Sequence, residues 1–253
     1  MQTTAGESMV RWAAGALLLA TASLVGCSGQ DGHRWLASPS GECSYDRLRL
    51  LPALEAAMPS DATVRMEMAA TGGDDSMSMS GVLAYTPTGP EMEMSYGGPE
   101  PFTLVAVDGR LFINEVPGGE YFELDLEHPE AAELADMMAQ MDVSASFDAW
   151  RAGLRGVRSL GPGTIVSAEE GREDVCHYVL EVDFADAAAA AGEKVPRGAP
   201  ERIDYDLYVT ADDLIRRVTF TSGPMKATMD MTKWNEPVDI RVPSNLGYPE
   251  DEV

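Results

Sequence analysis

Positive charge is scarce in this chain. Its 253 residues hold 18 Lys and Arg against 42 Asp and Glu, a formal net charge of −24. That balance argues against nucleic-acid binding, because a phosphate backbone selects clustered cations. It argues equally against a basic grip on anionic lipid head groups. The acidity means a solvated, self-repelling surface and identifies no ligand. Histidine is rarer still: His33, His128 and His177 are the full set. No Gly-x-Ser-x-Gly elbow, P-loop, His-Glu-x-x-His or Gly-rich dinucleotide loop occurs. Acid pairs such as Asp74-Asp75 and Asp212-Asp213 read as turn and surface residues. Cys176-His177 would point to opposite faces of a strand and make a poor metal clamp. No enzymatic activity, cofactor or metal is therefore expected, and carboxylate-only hydrolysis is the one route left open. No apolar run reaches the roughly 20 residues of a spanning helix.

The longest apolar run, Trp12 to Ala22, has instead the length of a secretion-signal core. Small residues follow it and lead to Leu24-Val25-Gly26-Cys27. This order resembles the lipobox of bacterial lipoproteins. The resemblance implies that residues 1–26 are a signal peptide and that Cys27 carries lipid and becomes the mature N-terminus. The chain would then sit on the extracytoplasmic face of the cell membrane, held by acyl chains. The alternatives are an ordinary signal peptide with a chance cysteine, or a membrane anchor.

Glu7 and Arg11 cancel, so the whole negative charge stays with the mature chain. With Cys27 acylated, Cys43 and Cys176 remain, an even pair in an oxidising space. A disulfide between them is expected, the alternative being two unrelated thiols. The stretch up to residue 43 has no apolar periodicity and reads as a tether. Trp35 and Leu36 within it could touch the membrane or the folded body. Residues 44–253 form one domain, since no convincing linker interrupts them.

Periodicity divides that domain. Leu48, Leu51, Leu54 and Ala57 lie at helical spacing, which predicts a helix from Ser44 to Ala57, kinked or split at Pro52. From Ala62 the period becomes two: Val64, Met66 and Met68 alternate with polar residues, as do Met92 and Met94. Asp108-Gly109 between Leu104, Ala106 and Leu111, Ile113 is a hairpin signal that pairs Ala106 with Leu111 and Leu104 with Ile113. Helical spacing predicts two more helices, over 130–141 and 147–157. A short strand at 164–168 follows. Tyr178, Leu180, Val182 and Phe184 alternate, and the Ala187–Ala191 run reads as a helical turn ended by Gly192. Tyr205, Leu207, then Val218, Phe220, then Met229, Met231 mark the last strands. Short turns join most of them. The fold class is α+β, an antiparallel sheet with helices on one face.

Methionine is the unusual abundance. Met66-x-Met68, Met77-x-Met79, Met92-x-Met94 and Met229-x-Met231 would each pair thioethers on one face of a strand. Three readings stand. They are ordinary core, a pliable lining for an apolar ligand, or soft-metal binding through thioethers. Met77 and Met79, in a Gly-, Ser- and Asp-rich stretch, are expected to be the exposed pair.

Several segments together resemble the mycobacterial LppX/LprAFG lipoproteins, relatives of the LolA-like periplasmic carriers. The lipobox and tether precede Gly81-Val-Leu-Ala-Tyr-Thr-Pro and the acid-methionine strand Glu91-Met-Glu-Met. Leu104-Val-Ala-Val-Asp-Gly-Arg-Leu-Phe-Ile resembles the family hairpin. Asp204-Tyr-Asp-Leu-Tyr-Val-Thr-Ala-Asp-Asp-Leu-Ile-Arg-Arg-Val resembles its penultimate one, and Trp234-Asn-Glu-Pro-Val-Asp-Ile-Arg-Val-Pro its closing segment. The resemblance implies a curved half-barrel sheet with helices on its concave side and an apolar cavity between them. It implies a carrier of the acyl chains of a lipid or lipoglycan across the envelope, for which an export or loading protein is a candidate partner. The expected lining is Met66, Met68, Met92, Met94, Leu104, Ala106, Leu111, Ile113, Tyr205, Leu207, Val218, Phe220, Met229 and Met231. An anchored surface module with a filled core, contacting wall or partner proteins, is the alternative. The Ala, Gly, Asp and Glu bias fits a high-GC Gram-positive source, and an actinobacterial envelope with it.

Overall fold

The computed structural model describes residues 43–72, 75–126, 128, 143–167, 171–195 and 198–247. Cys27, the tether and the helix expected over 130–141 lie outside them. Three helices are described: α1 (Leu50–Ala57), α2 (Val143–Gly153) and α3 (Phe184–Ala190). The strands are β1 (Thr63–Gly72), β2 (Asp75–Thr86), β3 (Gly89–Gly97), β4 (Phe102–Val107), β5 (Arg110–Asn114), β6 (Phe122–Glu123), β7 (Leu154–Ser167), β8 (Gly171–Asp183), β9 (Arg202–Val209), β10 (Ile215–Ser222) and β11 (Met225–Thr232). They form one 11-stranded sheet in the order β6-β5-β4-β3-β2-β1-β11-β10-β9-β8-β7. The paired strands run antiparallel. The α+β class is thus the one expected. The chain divides into two compact units, one of residues 1–58 and 143–223, the other of 59–142 and 224–253.

The first unit holds β7 to β10 and all three described helices. Ile203, Tyr205, Leu207 and Val209 of β9 stand opposite Val182, Leu180, Tyr178 and Cys176 of β8. Opposed residues in an antiparallel pair share a face, so these make one apolar layer. Helices α2 and α3 cover it with Phe147, Ala149, Trp150, Phe184, Ala187 and Ala188, all buried. Asp183 caps α3 by accepting from the Asp186 N–H at 3.1 Å, and Gly192 follows with φ 73°. Between α2 and β7 the chain has no room for a side chain. A Cβ on Gly153 would lie 2.6 Å from the Asp183 carbonyl and 2.7 Å from Val182 Cγ1.

Three expectations are corrected here. The first helix begins at Leu50, not Ser44. That start places Pro52 in the first turn, where its missing N–H breaks no helical bond, so the helix is neither kinked nor split. Leu48 is accordingly outside the buried stripe and 82% exposed. The helix expected over 147–157 spans 143–153, and Leu154 and Val157 belong to β7. The short strand at 164–168 is the end of that same 14-residue strand. Gly156, Gly161, Pro162 and Gly163 interrupt its alternation. Its ladder with β8 shifts register at two places, and its position at the sheet edge is what tolerates a proline.

The segment before α1 is clamped to this unit. Cys43 and Cys176 form the expected disulfide, across 133 residues of sequence. Ser159 Oγ donates to the Cys43 carbonyl at 2.6 Å. Tyr45 donates to Asp213 Oδ2 at 2.9 Å, and its ring lies 6.2 Å from that of Tyr178. Arg151 of α2 reaches Glu55 of α1 at 2.8 Å.

In the second unit, β1 to β6 and β11 carry the methionines. The Asp108-Gly109 hairpin has the expected register, Ala106 opposite Leu111 and Leu104 opposite Ile113. Both turn residues have positive φ, 53° and 71°, the geometry that suits the twist of a two-residue hairpin.

Two measurements test the clamp. Replacing both Cys43 and Cys176 by serine should lower the unfolding free energy by about 2–5 kcal/mol, the chain-entropy limit for so long a loop being about 5. Urea curves of the two proteins with equal midpoints would show that the bridge constrains nothing. Burial, and then the bond to Asp213, push the Tyr45 hydroxyl up from 10.0 to about 12. The folded state therefore favours the protonated phenol. That contribution is complete below pH 10 and lost as pH rises through 12. Tyr45→Phe should make stability fall less steeply between pH 10 and 12, as followed by thermal melts across that range.

Candidate functional site

The registers of the second unit place the methionines on one face. Met66 stands opposite Met231 and Met68 opposite Met229 across β1 and β11. Met68 also faces Met79, and Met66 faces Gly81, across β1 and β2. Gly81 faces Met94, Leu83 faces Met92 and Met79 faces Tyr96. Met92 and Met94 continue to Ala106 and Leu104, and those to Leu111 and Ile113. The result is one uninterrupted apolar surface across β11-β1-β2-β3-β4-β5. Met92, Met94 and Leu104 are wholly buried, and Met66, Met68, Met79, Ala106, Leu111 and Met231 nearly so. Met229 and Ile113 are half-buried.

Met79 corrects the expectation of exposure, being 3% exposed. Its Gly-, Ser- and Asp-rich surroundings form a strand, and the alternation brings its thioether to the apolar side. Met77, two residues back, is half-buried. Gly81 leaves a gap in this surface. A Cβ there would lie 2.6 Å from Met94 Sδ and 2.0 Å from the Glu93 carbonyl. The missing side chain is the space the Met94 thioether uses. Tyr96 closes the face, stacked on Phe102 at 4.3 Å between centroids. Its hydroxyl is buried with no partner among the described residues, and that burial raises its pKa.

The opposite face of the same strands is polar near β1–β3, where Arg65, Glu67, Ser80, Glu93 and Ser95 line a shallow depression. Towards β4 and β5 it is apolar. Val105, Val107 and Phe112 are covered there by Tyr121, Ile240, Val242 and Leu246. The closing segment is thus a lid on a small second core, tied by Tyr121 N–H to the Asn245 carbonyl at 2.9 Å.

The remaining expected lining residues belong to the first unit. Tyr205, Leu207 and Val218 are buried beneath the helices, and Phe220 is half-buried. Val218 stands opposite Leu207 and Phe220 opposite Tyr205. Rings follow one another here: Phe220 to Tyr205 at 5.3 Å, Tyr205 to Trp150 at 5.8 Å, Trp150 to Phe147 at 5.9 Å. Trp150 falls within the stretch whose spacing predicts a helix over 147–157, and that periodicity carries no sign of its place in this row. The Tyr205 hydroxyl and Trp150 Nε1 are both buried and have no hydrogen-bond partner among the described residues. Each such group costs about 1–3 kcal/mol. Burial raises the Tyr205 pKa well above its ordinary value.

Charged chemistry is local and paired. Arg216, 3% exposed in a bulge of β10, donates through Nε to Glu173 Oε2 at 2.5 Å. His177 meets Asp206 at 2.7 Å and stacks on Tyr208 at 4.3 Å. Among the described residues no group of three or more His, Cys, Asp or Glu could hold a metal ion. No described helix is long and apolar enough to cross a membrane.

This arrangement is similar to a solved structure of LppX, a lipoprotein of Mycobacterium tuberculosis. The TM-score is 0.51 at 14% identity, over 77% of this chain and 100% of that one. It is equally similar to LprF of Mycobacterium bovis, at a TM-score of 0.51 and 11% identity, over 81% of this chain and 100% of the other. The fold is that of LppX and LprF. No protein-family model and no curated protein matches the chain. The likeness therefore lies in the architecture that the sequence resemblance implied.

Gly81→Val tests the methionine face. It should destabilise the protein by about 1–3 kcal/mol, the usual cost of overpacking, and Met94→Ala in the same chain should recover part of it. A neutral Gly81→Val in thermal denaturation would show that the thioether is not confined as described.

Proposed function

We propose that this chain is an extracytoplasmic lipoprotein, anchored through lipid on Cys27, that binds the acyl chains of a lipid or lipoglycan for movement across the cell envelope. One observation carries the reading: a single, continuous, methionine-rich apolar face across six neighbouring strands of the second unit. A core that needs only to be filled gains from branched side chains with few rotamers. Unbranched thioethers add little shape and much adaptability, which suits acyl chains of differing length and kink. The fold shared with two lipoproteins supports the same reading, as does a disulfide that belongs to an oxidising compartment.

Magnitudes narrow the cargo. Each buried methylene contributes about 0.8 kcal/mol, so a chain of about fifteen gains about 12 kcal/mol in gross transfer energy. Association costs about 4–15 kcal/mol before any surplus appears. One acyl chain is thus marginal, and two or more give firm retention. Apolar side chains exposed in the second unit, Val116 at 66%, Leu126 at 41% and Phe122 at 40%, favour a second reading, an anchored module that contacts a partner protein.

Native mass spectrometry of the full chain from its own host, before and after organic extraction, separates these readings. A retained lipid of discrete mass, lost on extraction, is the expected result. A bare protein that also takes up no fluorescent fatty acid would leave the interaction module. The mature mass should show diacylglyceryl on Cys27, and Cys27→Ser should remove it.

A further inference from the structure

The methionine face of the second unit is not sealed at one end. Met92 and Met94 of β3 are wholly buried, and Met68 and Met79 nearly so. Met77, Met225 and Met229 are half-buried. These three lie together on β2 and β11, on either side of β1. Met229 stands opposite Met68, which faces Met79. Met77 stands opposite Ala70, which faces Ala227, and Met225 stands opposite Gly72. Met225 and Met229 are four residues apart on one strand, and Met77 and Met79 two apart on the other, so all share the face. Access therefore falls along one continuous surface, from the hairpin end of β1 and β2 inward to β3.

A half-buried thioether is reactive where a half-buried leucine is not. Its sulfur lone pair attacks the terminal oxygen of a peroxide. The O–O bond breaks, an S–O bond forms and, from hydrogen peroxide, water leaves. Sulfur loses two electrons and the peroxide gains them. Exposure decides which thioether reacts first. Among the described residues no free thiol competes, because Cys43 and Cys176 are joined. The sulfoxide is a strong dipole. At Met229 it would stand one strand away from Met68, within the apolar surface, where a polar group without a partner is unfavourable.

Building on the acyl-binding reading, we infer that Met77, Met225 and Met229 are a peroxide-sensitive modification site, whose oxidation to sulfoxide weakens the hold on acyl chains. Leucine at these positions would keep the face apolar without that sensitivity. A sulfoxide reductase supplied with a dithiol removes the oxygen as water and returns the thioether. The change is therefore reversible, and it begins at the open end of the face while Met92 and Met94 stay intact.

The test treats the full chain, purified in mild detergent, with graded hydrogen peroxide. Peptide mapping by mass spectrometry places each added oxygen, and a fluorescent fatty acid reads binding before and after. Met77, Met225 and Met229 should gain oxygen before Met92 and Met94, and affinity for the probe should fall roughly tenfold as they do. Methionine sulfoxide reductase with dithiothreitol should restore it. With all three replaced by leucine, peroxide should cause no such fall, each protein being compared with its own untreated sample. Met58 is an internal control, half-buried but at the end of α1 in the first unit. Affinity that falls with Met58 oxidation alone would overturn the inference. So would Met92 and Met94 reacting as early as the three, or a leucine variant that still loses affinity; acyl binding itself would stand. The peptide map decides the site even if the leucine variant fails to fold. A native chain that takes up no probe before treatment would overturn the acyl-binding reading, and the effect assigned to the sulfoxides with it.

Discussion

Everything described here depends on strand register. In an antiparallel ladder, opposed residues share a face, and a slip of one residue would move every methionine to the other side. Short turns hold that register. Asp108 and Gly109 adopt the positive φ values a two-residue hairpin needs, and from that turn the pairing runs without a break through β4, β3 and β2 to β1. Met66, Met94 and Leu104 are far apart in sequence, yet their position on one face follows from this alternation. Polar residues in between, such as Glu67 and Glu93, are driven to the opposite face by the same rule.

Methionine on such a face has a physical consequence. The apolar area is large, but the shape is weakly specified, because each side chain has three rotatable bonds. Gly81 extends this by leaving room into which the Met94 sulfur settles. The clamp of the first unit is the opposite kind of structure. A disulfide, the bond from Ser159 to the Cys43 carbonyl and the Tyr45 contact all act on the first few described residues. A force on the preceding chain therefore meets a covalent crosslink to β8 before it meets α1.

The sequence was legible where a single rule governed. Period two marked β3, the Asp-Gly turn gave β4 and β5 with their register, and the even cysteine pair gave the disulfide. It was less legible where two rules competed. Pro52 within a helical stripe looked like a break, because the helix start could not be seen to fall just before it. Gly156, Gly161, Pro162 and Gly163 hid the longest strand, since only its place at the sheet edge makes them tolerable. Met79 sat in a stretch whose composition reads as a loop, and pairing with Met68 and Tyr96 overrode that composition. Trp150 lay in the part of the 147–157 stretch that is helical, but no periodicity can reveal an indole N–H with no partner among the described residues.

That last group separates a core from a site. Cores are built so that buried polar atoms are satisfied, and departures concentrate where function demands them. Had selection acted on stability alone, phenylalanine would serve at Tyr205, Trp150 and Tyr96, since each ring is buried and each polar atom lacks a partner among the described residues. Two of these residues lie in the helix-covered layer of the first unit, and the third closes the methionine face of the second. Methionine explains how an acyl chain of indefinite shape could be accommodated; it does not explain three buried donors.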